Sequence, residues 1–230
     1  MDWNKEILTK LDFKEIENKE EKEKIAKKIS EKVKNGDVIG FGSGTTSYLA
    51  ILAIAEKMKK DDIKITAIPT SYEIELLCNN LRIQTTTLKQ AKPDWSFDGA
   101  DEVNKEKWVI KGRGGAMFRE KLNIANSKIT YILADRSKLV DRLGEKFSIP
   151  VECYPEALNY VKEELIMLGA EKIEIRQAVK KDGPVITESG GIILDAKFLR
   201  ITEHLEKDIK SIIGVIESGL FIGYPIEIIN

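Results

Sequence analysis

The 230-residue sequence has little of several reactive residue types, and each shortage excludes a class of site. Its only histidine is His204, so a histidine-based zinc site or a Ser-His-Asp triad has almost no material. Its two cysteines, Cys78 and Cys153, form no C-x-x-C pair. We therefore expect free thiols, no structural disulfide and a cytoplasmic protein.

Long apolar runs and a basic charge excess are also missing. The longest apolar run, residues 48–55, is too short to span a bilayer, and the N-terminus has no apolar core of signal-peptide length. The formal net charge of −1 argues against a general nucleic-acid binder. Neither a membrane nor a nucleic acid is expected as a partner.

What the sequence does contain is a regular alternation of helical and strand patterns. Residues 20–35 read as a helix because Ile25, Ile29 and Val33 recur every four residues before Gly36. Charged residues 1–19 read as a short extension. Further strands are predicted at 37–41, 63–68, 82–88, 95–97 and 129–134. Helices are predicted at 47–60 and from a cap at 69–71 to about residue 79. Polar motifs at the strand ends indicate a doubly wound, mostly parallel, Rossmann-like α/β sheet.

The pattern changes at residues 149–150. A strand at 151–154 and a helix at 155–168 are followed by short strands at 172–177, 185–188 and 192–196 and a helix at 202–212. This order predicts a small, ferredoxin-like α+β domain at 149–212. It would be inserted in a Rossmann-like catalytic domain made of residues 1–148 and 213–230.

The stretch from Asp94 to Lys121 carries most of the candidate chemistry. Apolar residues lead into the acidic turn Asp98-Gly99-Ala100-Asp101, and a second apolar run ends at Lys111. The glycine loop Gly112-Arg113-Gly114-Gly115 follows, and then a helical pattern carries Glu120. Glycine-loop N–H groups make an anion cradle, and ligands of α/β sheets bind at strand ends. Each match alone is commonly only a turn, but their combination favours a site for proton transfer on a small anionic substrate.

A second glycine-rich turn lies between a predicted strand and a helix, at Gly42-Ser43-Gly44-Thr45-Thr46. Hydroxyl side chains beside a helix N-terminus form a recurring anion site. The motif is neither a G-x-G-x-x-G dinucleotide fingerprint nor a P-loop. A tight turn with a Ser or Thr cap is the competing interpretation.

Taken in order, these motifs resemble those of ribose-5-phosphate isomerase A. The resemblance covers roughly residue 22 to the C-terminus. The matching segments are G-F-G-S-G-T-T (40–46), D-G-A-D-E (98–102), K-G-R-G-G-A (111–116), R-E-K (119–121), A-D-R-S-K (134–138), L-G-E-K-F-S-I-P-V-E (143–152) and G-L-F (219–221). Several ordered motifs in one chain are far more specific than any single motif.

The resemblance implies that the protein interconverts D-ribose 5-phosphate and D-ribulose 5-phosphate through an enediolate, in the non-oxidative branch of the pentose phosphate pathway. No metal and no redox cofactor would be needed. Glu120 would act as the base that moves a proton between C2 and C1, and Lys111 would stabilise the oxyanion. Asp98 and Asp101 would bind sugar hydroxyls, open the furanose ring and move hydroxyl protons.

The remaining expected contacts also follow from the resemblance. The backbone of Gly112, Arg113 and Gly114 would hold the carbonyl end, and Gly99 and Ala100 would line the same site. The sugar or its phosphate would be held by Ser43, Gly44, Thr45 and Thr46, with Lys138 or a lysine near Lys22; which loop holds the phosphate stays open. Arg113 stands where a glycine is common in the family. If its side chain points outward, the backbone anion cradle is unaffected. If it points inward, it would strengthen phosphate binding or narrow the pocket. Similar proteins form dimers or tetramers, so a homodimer or homotetramer is expected.

Two other functions stay open at this point. One is a different enzyme of the same fold class, such as an amino-sugar-phosphate isomerase or a sugar lactonase, although these generally rely on histidine. The other is a non-catalytic sugar-phosphate-binding module, as in some transcription regulators. The sequence offers no helix-turn-helix with a basic face in support of the latter.

Overall fold

The computed structural model describes residues 16–230, so most of the extension predicted at residues 1–19 lies outside the described part of the chain. The helices are α1 Lys19–Ser30, α2 Gly44–Asp61, α3 Tyr72–Asn80, α4 Met117–Asn126, α5 Leu158–Met167 and α6 Leu205–Ser211. The strands are β1 Val38–Phe41, β2 Thr66–Pro69, β3 Gln84–Thr85, β4 Trp95–Gly99, β5 Glu102–Val103, β6 Val109–Ile110, β7 Thr130–Leu133, β8 Ile149–Cys153, β9 Ala170–Ile175, β10 Ile192–Phe198, β11 Val215–Ser218, β12 Leu220–Phe221 and β13 Ile226–Ile229. No helix within residues 16–230 is both long and apolar enough to cross a membrane.

The first of two compact units contains residues 16–99, Leu122–Ser137 and Pro225–Asn230. Its six-stranded sheet has the order β13-β7-β4-β1-β2-β3, and every neighbouring pair is parallel. Along the chain, β2 and β3 are added on one side of β1, and β4 is then added on the other side. This reversal makes the carboxyl ends of β1 and β4 the switch point at which such sheets bind ligands. The predicted parallel α/β sheet is confirmed.

The helices of this unit follow from the spacing of their apolar residues. Ile25 and Ile29 on α1 are fully buried in the same core as Ile51 and Ile54 on α2. Burying each such side chain contributes about 1.5–3 kcal/mol. The α3 helix begins after Ser71, whose hydroxyl oxygen accepts a hydrogen bond from the Ile74 N–H at 3.3 Å.

Several element boundaries differ from the prediction. The helix predicted at 20–35 ends at residue 30, and α2 begins at Gly44, earlier than predicted. The strand predicted at 82–88 shrinks to Gln84–Thr85, because β3 is an edge strand that pairs with only Thr66 and Ala67 of β2. The strand predicted at 185–188 is reduced to one isolated bridge, between Ile186 and Ile192.

The second compact unit contains Ala100–Lys121 and Lys138–Tyr224. It has one antiparallel sheet in the order β11-β8-β10-β9 and another in the order β12-β6-β5. Its core includes Val161, Leu165 and Ile209 from the helices α5 and α6. This unit is larger than the segment 149–212 because β11 pairs with β8, and β12 with β6. The predicted domain boundaries themselves stay a prediction.

Candidate active site

In the first unit, Asp98 lies at the carboxyl end of β4 with its side chain buried. Its Oδ1 accepts hydrogen bonds from the Ser43 N–H at 3.2 Å and the Gly99 N–H at 2.8 Å. Gly42 makes this approach possible, because a Cβ there would lie 2.5 Å from the Asp98 Cα and would overlap its carboxyl group. The ends of β1 and β4 therefore join an acidic residue to the hydroxyl-rich turn, a contact that the sequence did not predict.

The turn after β1 begins α2 with the features of an anion site. Gly44 has a φ of +86°, and the first turn of α2 contains no acidic side chain. The Ser43 hydroxyl lies 2.8 Å from the Thr70 hydroxyl and does not cap the helix. Helix N-termini carry backbone N–H groups without intrahelical partners and a partial positive charge, both of which favour an anion.

Lys22, on α1, contacts this turn although it lies 23 positions before Thr45 in the sequence. Its side chain is buried, and its Nζ donates to the Thr45 hydroxyl at 3.3 Å. The Asp135 carboxylate lies 3.8 Å from the same ammonium, while its other oxygen accepts the Ser137 N–H at 2.9 Å. The charged stretch around Lys22 predicts a solvated side chain, and this prediction is wrong because Lys22 is buried beside the hydroxyl-rich turn. The substrate-facing role implied by the family resemblance stays a prediction.

In the second unit, Lys111 and Glu120 form a buried ion pair. The residues are 3% and 4% exposed, and the Lys111 Nζ contacts the Glu120 Oε2. Lys111 directly follows β6, and its N–H donates to the Gly219 carbonyl at 2.9 Å. Glu120 lies in the first turn of α4. A carboxylate and an ammonium are thus held together away from water.

Asp101 shares the electrostatic surroundings of this pair. Burial raises the pKa of its carboxyl above the ordinary value, and the nearby charges of Lys111 and Lys138 oppose that rise. The Glu120 carboxylate adds to the increase in the Asp101 pKa, whereas the Arg113 charge lowers that pKa. A carboxyl with a raised pKa holds its proton to higher pH and is suited to exchanging it with a substrate hydroxyl.

The glycine loop between β6 and α4 depends on two residues with positive φ. Gly112 has a φ of +102° and Gly115 one of +82°, conformations that residues with a side chain rarely adopt. A Cβ at Gly112 would also lie 3.2 Å from the Met117 Cβ. The Gly115 N–H donates to the Gly112 carbonyl at 3.0 Å and closes the turn. Arg113 is not among the strained positions, and it is exposed.

The structure distributes the predicted site residues over the two units. Within the first unit it joins Asp98 and Gly99 to the turn Ser43–Thr46. Within the second unit, the pKa of Asp101 is affected by the charges of Lys111, Lys138, Glu120 and Arg113. Lys138 ends a short 3-10 helix, with its ammonium 5.7 Å from the centre of the Phe147 ring. The role of each residue stays a prediction.

Glu102 has a structural role that the sequence did not predict. It is fully buried, and its carboxylate accepts N–H groups from Gly144 at 2.6 Å, Lys146 at 2.5 Å and Phe147 at 2.8 Å. It therefore links the acidic turn to the L-G-E-K-F segment. The presence of both segments among the resembling motifs was the only available signal, and it did not indicate that they touch.

Comparison with known proteins shows the family to which the chain is similar. A family model described as ribose 5-phosphate isomerase A (phosphoriboisomerase A) matches residues 66–230. The chain is 43% identical over 206 residues to ribose-5-phosphate isomerase A of a Synechococcus strain, covering 88% of each protein.

Two solved structures are similar in fold and sequence. Ribose 5-phosphate isomerase A from Methanocaldococcus jannaschii superposes with a TM-score of 0.89 at 38% identity, covering 93% of this chain and 96% of that one. A D-ribose-5-phosphate isomerase in complex with phospho-erythronic acid has a TM-score of 0.88 at 38% identity, covering 92% of this chain and 94% of that one. The chain therefore belongs to the ribose 5-phosphate isomerase A family.

Proposed function

We propose that this protein interconverts D-ribose 5-phosphate and D-ribulose 5-phosphate by proton transfer through an enediolate. The observation that carries the proposal is the buried Lys111–Glu120 pair beside Asp101. The relatives named for this activity support it, as does the solved relative that binds phospho-erythronic acid, a phosphorylated sugar acid. A module that only bound sugar phosphates would not need a base next to a cation, so the binding-only alternative is not favoured.

In the proposed reaction, the open-chain aldose presents its C2 proton to Glu120. The carboxylate takes this proton, the electrons of the C–H bond form the C1–C2 double bond, and the carbonyl oxygen on C1 becomes an oxyanion. Glu120 then returns the proton to C1, while the C2 hydroxyl gives up its proton, which passes through Asp101 to the oxyanion on C1. C1 thereby becomes an alcohol and C2 becomes the ketone. Reversal of these steps gives the aldose.

Lys111 would keep the charge balanced through this sequence. Before reaction its ammonium is neutralised by the Glu120 carboxylate. When Glu120 becomes protonated, the negative charge passes to the substrate oxygen, and the same ammonium can stabilise it there. A buried charge is therefore never left without a partner, which would otherwise cost several kcal/mol. Such preorganised stabilisation is commonly worth about 3–4 kcal/mol per donor.

The two aspartates are proposed to handle hydroxyl groups. The raised pKa of Asp101 favours this residue as the group that exchanges protons with the two substrate oxygens. Asp98 is held by two backbone N–H groups and is proposed to orient a sugar hydroxyl. Gly99 and Ala100 would line the site with their backbone, and Lys138 would add positive charge near the substrate.

We assign the substrate phosphate to the turn Ser43–Thr46 at the start of α2. Its helix N-terminus, its hydroxyl groups and the buried Lys22 ammonium are the supporting features. No metal or redox cofactor is part of the proposal. We further expect a cytoplasmic homodimer or homotetramer whose substrate is a phosphorylated pentose.

The test is an isomerase assay on the purified protein with D-ribose 5-phosphate, following appearance of the ketose. Replacing Glu120 by glutamine keeps the shape of the side chain and removes the base, so turnover should fall at least ~10²-fold. Glu171→Gln, at an exposed position on β9, is the matched control and should be unaffected. A chelator should leave the wild-type rate unchanged. Near-normal turnover of Glu120→Gln would reject Glu120 as the base, and an inactive wild-type protein would reject the function.

A further inference from the structure

Arg176 follows β9 and has no part in the chemistry described so far, yet its guanidinium contacts the glycine loop. Its Nη1 donates to the carbonyl oxygen of Gly112 at 2.9 Å and to that of Arg113 at 2.8 Å. Its Nε donates to the Asp195 Oδ2 at 2.9 Å, and its Nη2 contacts the Asp195 Oδ1. One side chain thus joins an aspartate on β10 to two consecutive peptide groups of the loop.

The guanidinium is held on a rigid base. Asp195 is part of β10, which is paired on both sides, to β8 and to β9. The Arg176 N–H donates to the Ile193 carbonyl, and the Arg176 carbonyl accepts the Val185 N–H, both at 2.9 Å. A bidentate arginine–carboxylate contact fixes the plane of the guanidinium as well as its position. The Nη1 hydrogens are therefore directed at the loop by groups that do not belong to it.

These two hydrogen bonds determine which way the loop N–H groups point. In a trans peptide, the carbonyl and the following N–H point in opposite directions. Because Nη1 binds the carbonyls of Gly112 and Arg113, the N–H groups of Arg113 and Gly114 face away from the guanidinium. Within residues 16–230 neither of these N–H groups has a hydrogen-bond acceptor. They are therefore available to an anionic ligand.

The loop needs such an external restraint because glycines flank both peptide groups. Gly112 and Gly114 impose little steric resistance to rotation of a peptide plane. A rotated plane would turn a carbonyl oxygen toward the developing oxyanion in place of an N–H. The Gly115 N–H also binds the Gly112 carbonyl, but this bond lies within the loop and leaves the Arg113 carbonyl unrestrained.

We propose that Arg176, held by Asp195, is a positioning residue that orients the Arg113 and Gly114 N–H groups toward the carbonyl end of the substrate. This inference rests on the proposed isomerase function. It differs from a purely structural role, in which Arg176 would only attach the loop to the sheet. The two roles predict different measurements. Misdirected donors lower kcat because they weaken transition-state stabilisation, whereas a loosened loop lowers the overall stability of the protein.

The test compares Arg176→Ala and Arg176→Lys with the wild-type protein. Loss of one well-placed oxyanion donor costs ~10²–10³-fold in kcat, so Arg176→Ala should lose ~10–10³-fold, with KM changed less than ~threefold. Lysine presents a single ammonium, which cannot bind a carboxylate and two carbonyls in the same plane, so it should restore little. Lys172→Met breaks the exposed Lys172–Glu174 pair on β9 and serves as the control, with kcat unchanged.

Chemical rescue provides the readout that a structural role would not give. Arg176 and Asp195 are 19% and 26% exposed at their side chains, so a small cation from solution can reach the position. Added guanidinium should raise the kcat of Arg176→Ala at least ~threefold, an amount chosen to exceed assay scatter, whereas sodium at the same ionic strength should not. If kcat of Arg176→Ala stays within ~twofold of wild type, or falls without response to guanidinium, the positioning role is wrong.

Hydrogen exchange separates failure of this inference from failure of the proposed function. The Gly115 N–H, bonded to the Gly112 carbonyl at 3.0 Å, should exchange faster in Arg176→Ala than in wild type or Lys172→Met. Unchanged exchange would overturn the positioning role even if the enzyme is an isomerase. Faster exchange in a protein whose wild-type form does not isomerise ribose 5-phosphate would instead reject the function.

Discussion

Replacing Lys111 with methionine tests the central ion pair, because it removes the ammonium and keeps most of the side-chain volume. Two effects should follow. Loss of oxyanion stabilisation of about 3–4 kcal/mol lowers kcat by ~10²–10³-fold. Glu120, only 4% exposed, is also left as a buried carboxylate without its cation, and breaking such a pair costs about 3–5 kcal/mol of stability. In a chain of this size, each kcal/mol of lost stability lowers the melting temperature by about 2–4 °C, so the expected decrease is about 6–20 °C.

A second substitution separates the two effects. In Lys111→Met/Glu120→Gln the buried charge is gone, so most of the lost melting temperature should return while kcat stays as low as in the single variants. The assays are ribose 5-phosphate turnover and thermal unfolding followed by circular dichroism. Lys105→Met, which breaks an exposed pair with Glu106, is the control and should shift stability by less than ~1 kcal/mol. A Lys111→Met protein as stable as wild type, or a double variant that regains no stability, would refute the reasoning.

Two further predictions concern the acidic turn and its neighbour. Burial raises the pKa of Asp101 above its unfolded value, so the folded state retains that proton to higher pH than the unfolded state does, and this contribution to stability is lost as pH rises through the folded pKa. Asp101→Asn should therefore gain stability relative to wild type as pH rises above about 4, measured as the difference in melting temperature across a pH series; a constant difference would contradict it. Gly42→Ala should lower melting temperature and turnover together, because its Cβ would overlap the Asp98 carboxyl group. Gly114→Ala, with no atom of residues 16–230 beyond its chain neighbours within 4 Å of the added Cβ, should leave the melting temperature almost unchanged.

The parallel sheet could be predicted because the apolar periodicity of each helix and strand can be read within that element alone. Ile25 and Ile29 recur at the helical period and are both fully buried on α1. Polar motifs likewise placed Asp98 and Ser43 each at the end of a strand, and the structure adds the hydrogen bond between them. In both cases, the pattern within one element and the geometry of a parallel sheet were sufficient.

Contacts between distant segments could not be predicted in this way. Arg176 is separated from Gly112 by 64 positions, and no local pattern indicates which loop an arginine after an edge strand will contact. The strand predicted at 82–88 was too long for a related reason: its threonines favour extended backbone, but the length of β3 depends on how much of β2 is available for pairing.

The three N–H groups that converge on the Glu102 carboxylate restrict how the neighbouring loop can evolve. Surface loops generally tolerate insertions and deletions. Here the donors Gly144, Lys146 and Phe147 lie in an irregular segment, and a single added or lost residue would move at least one of them out of reach of a fully buried acceptor. The length of this loop is therefore set by one side chain, much as the length of a hairpin is set by its turn.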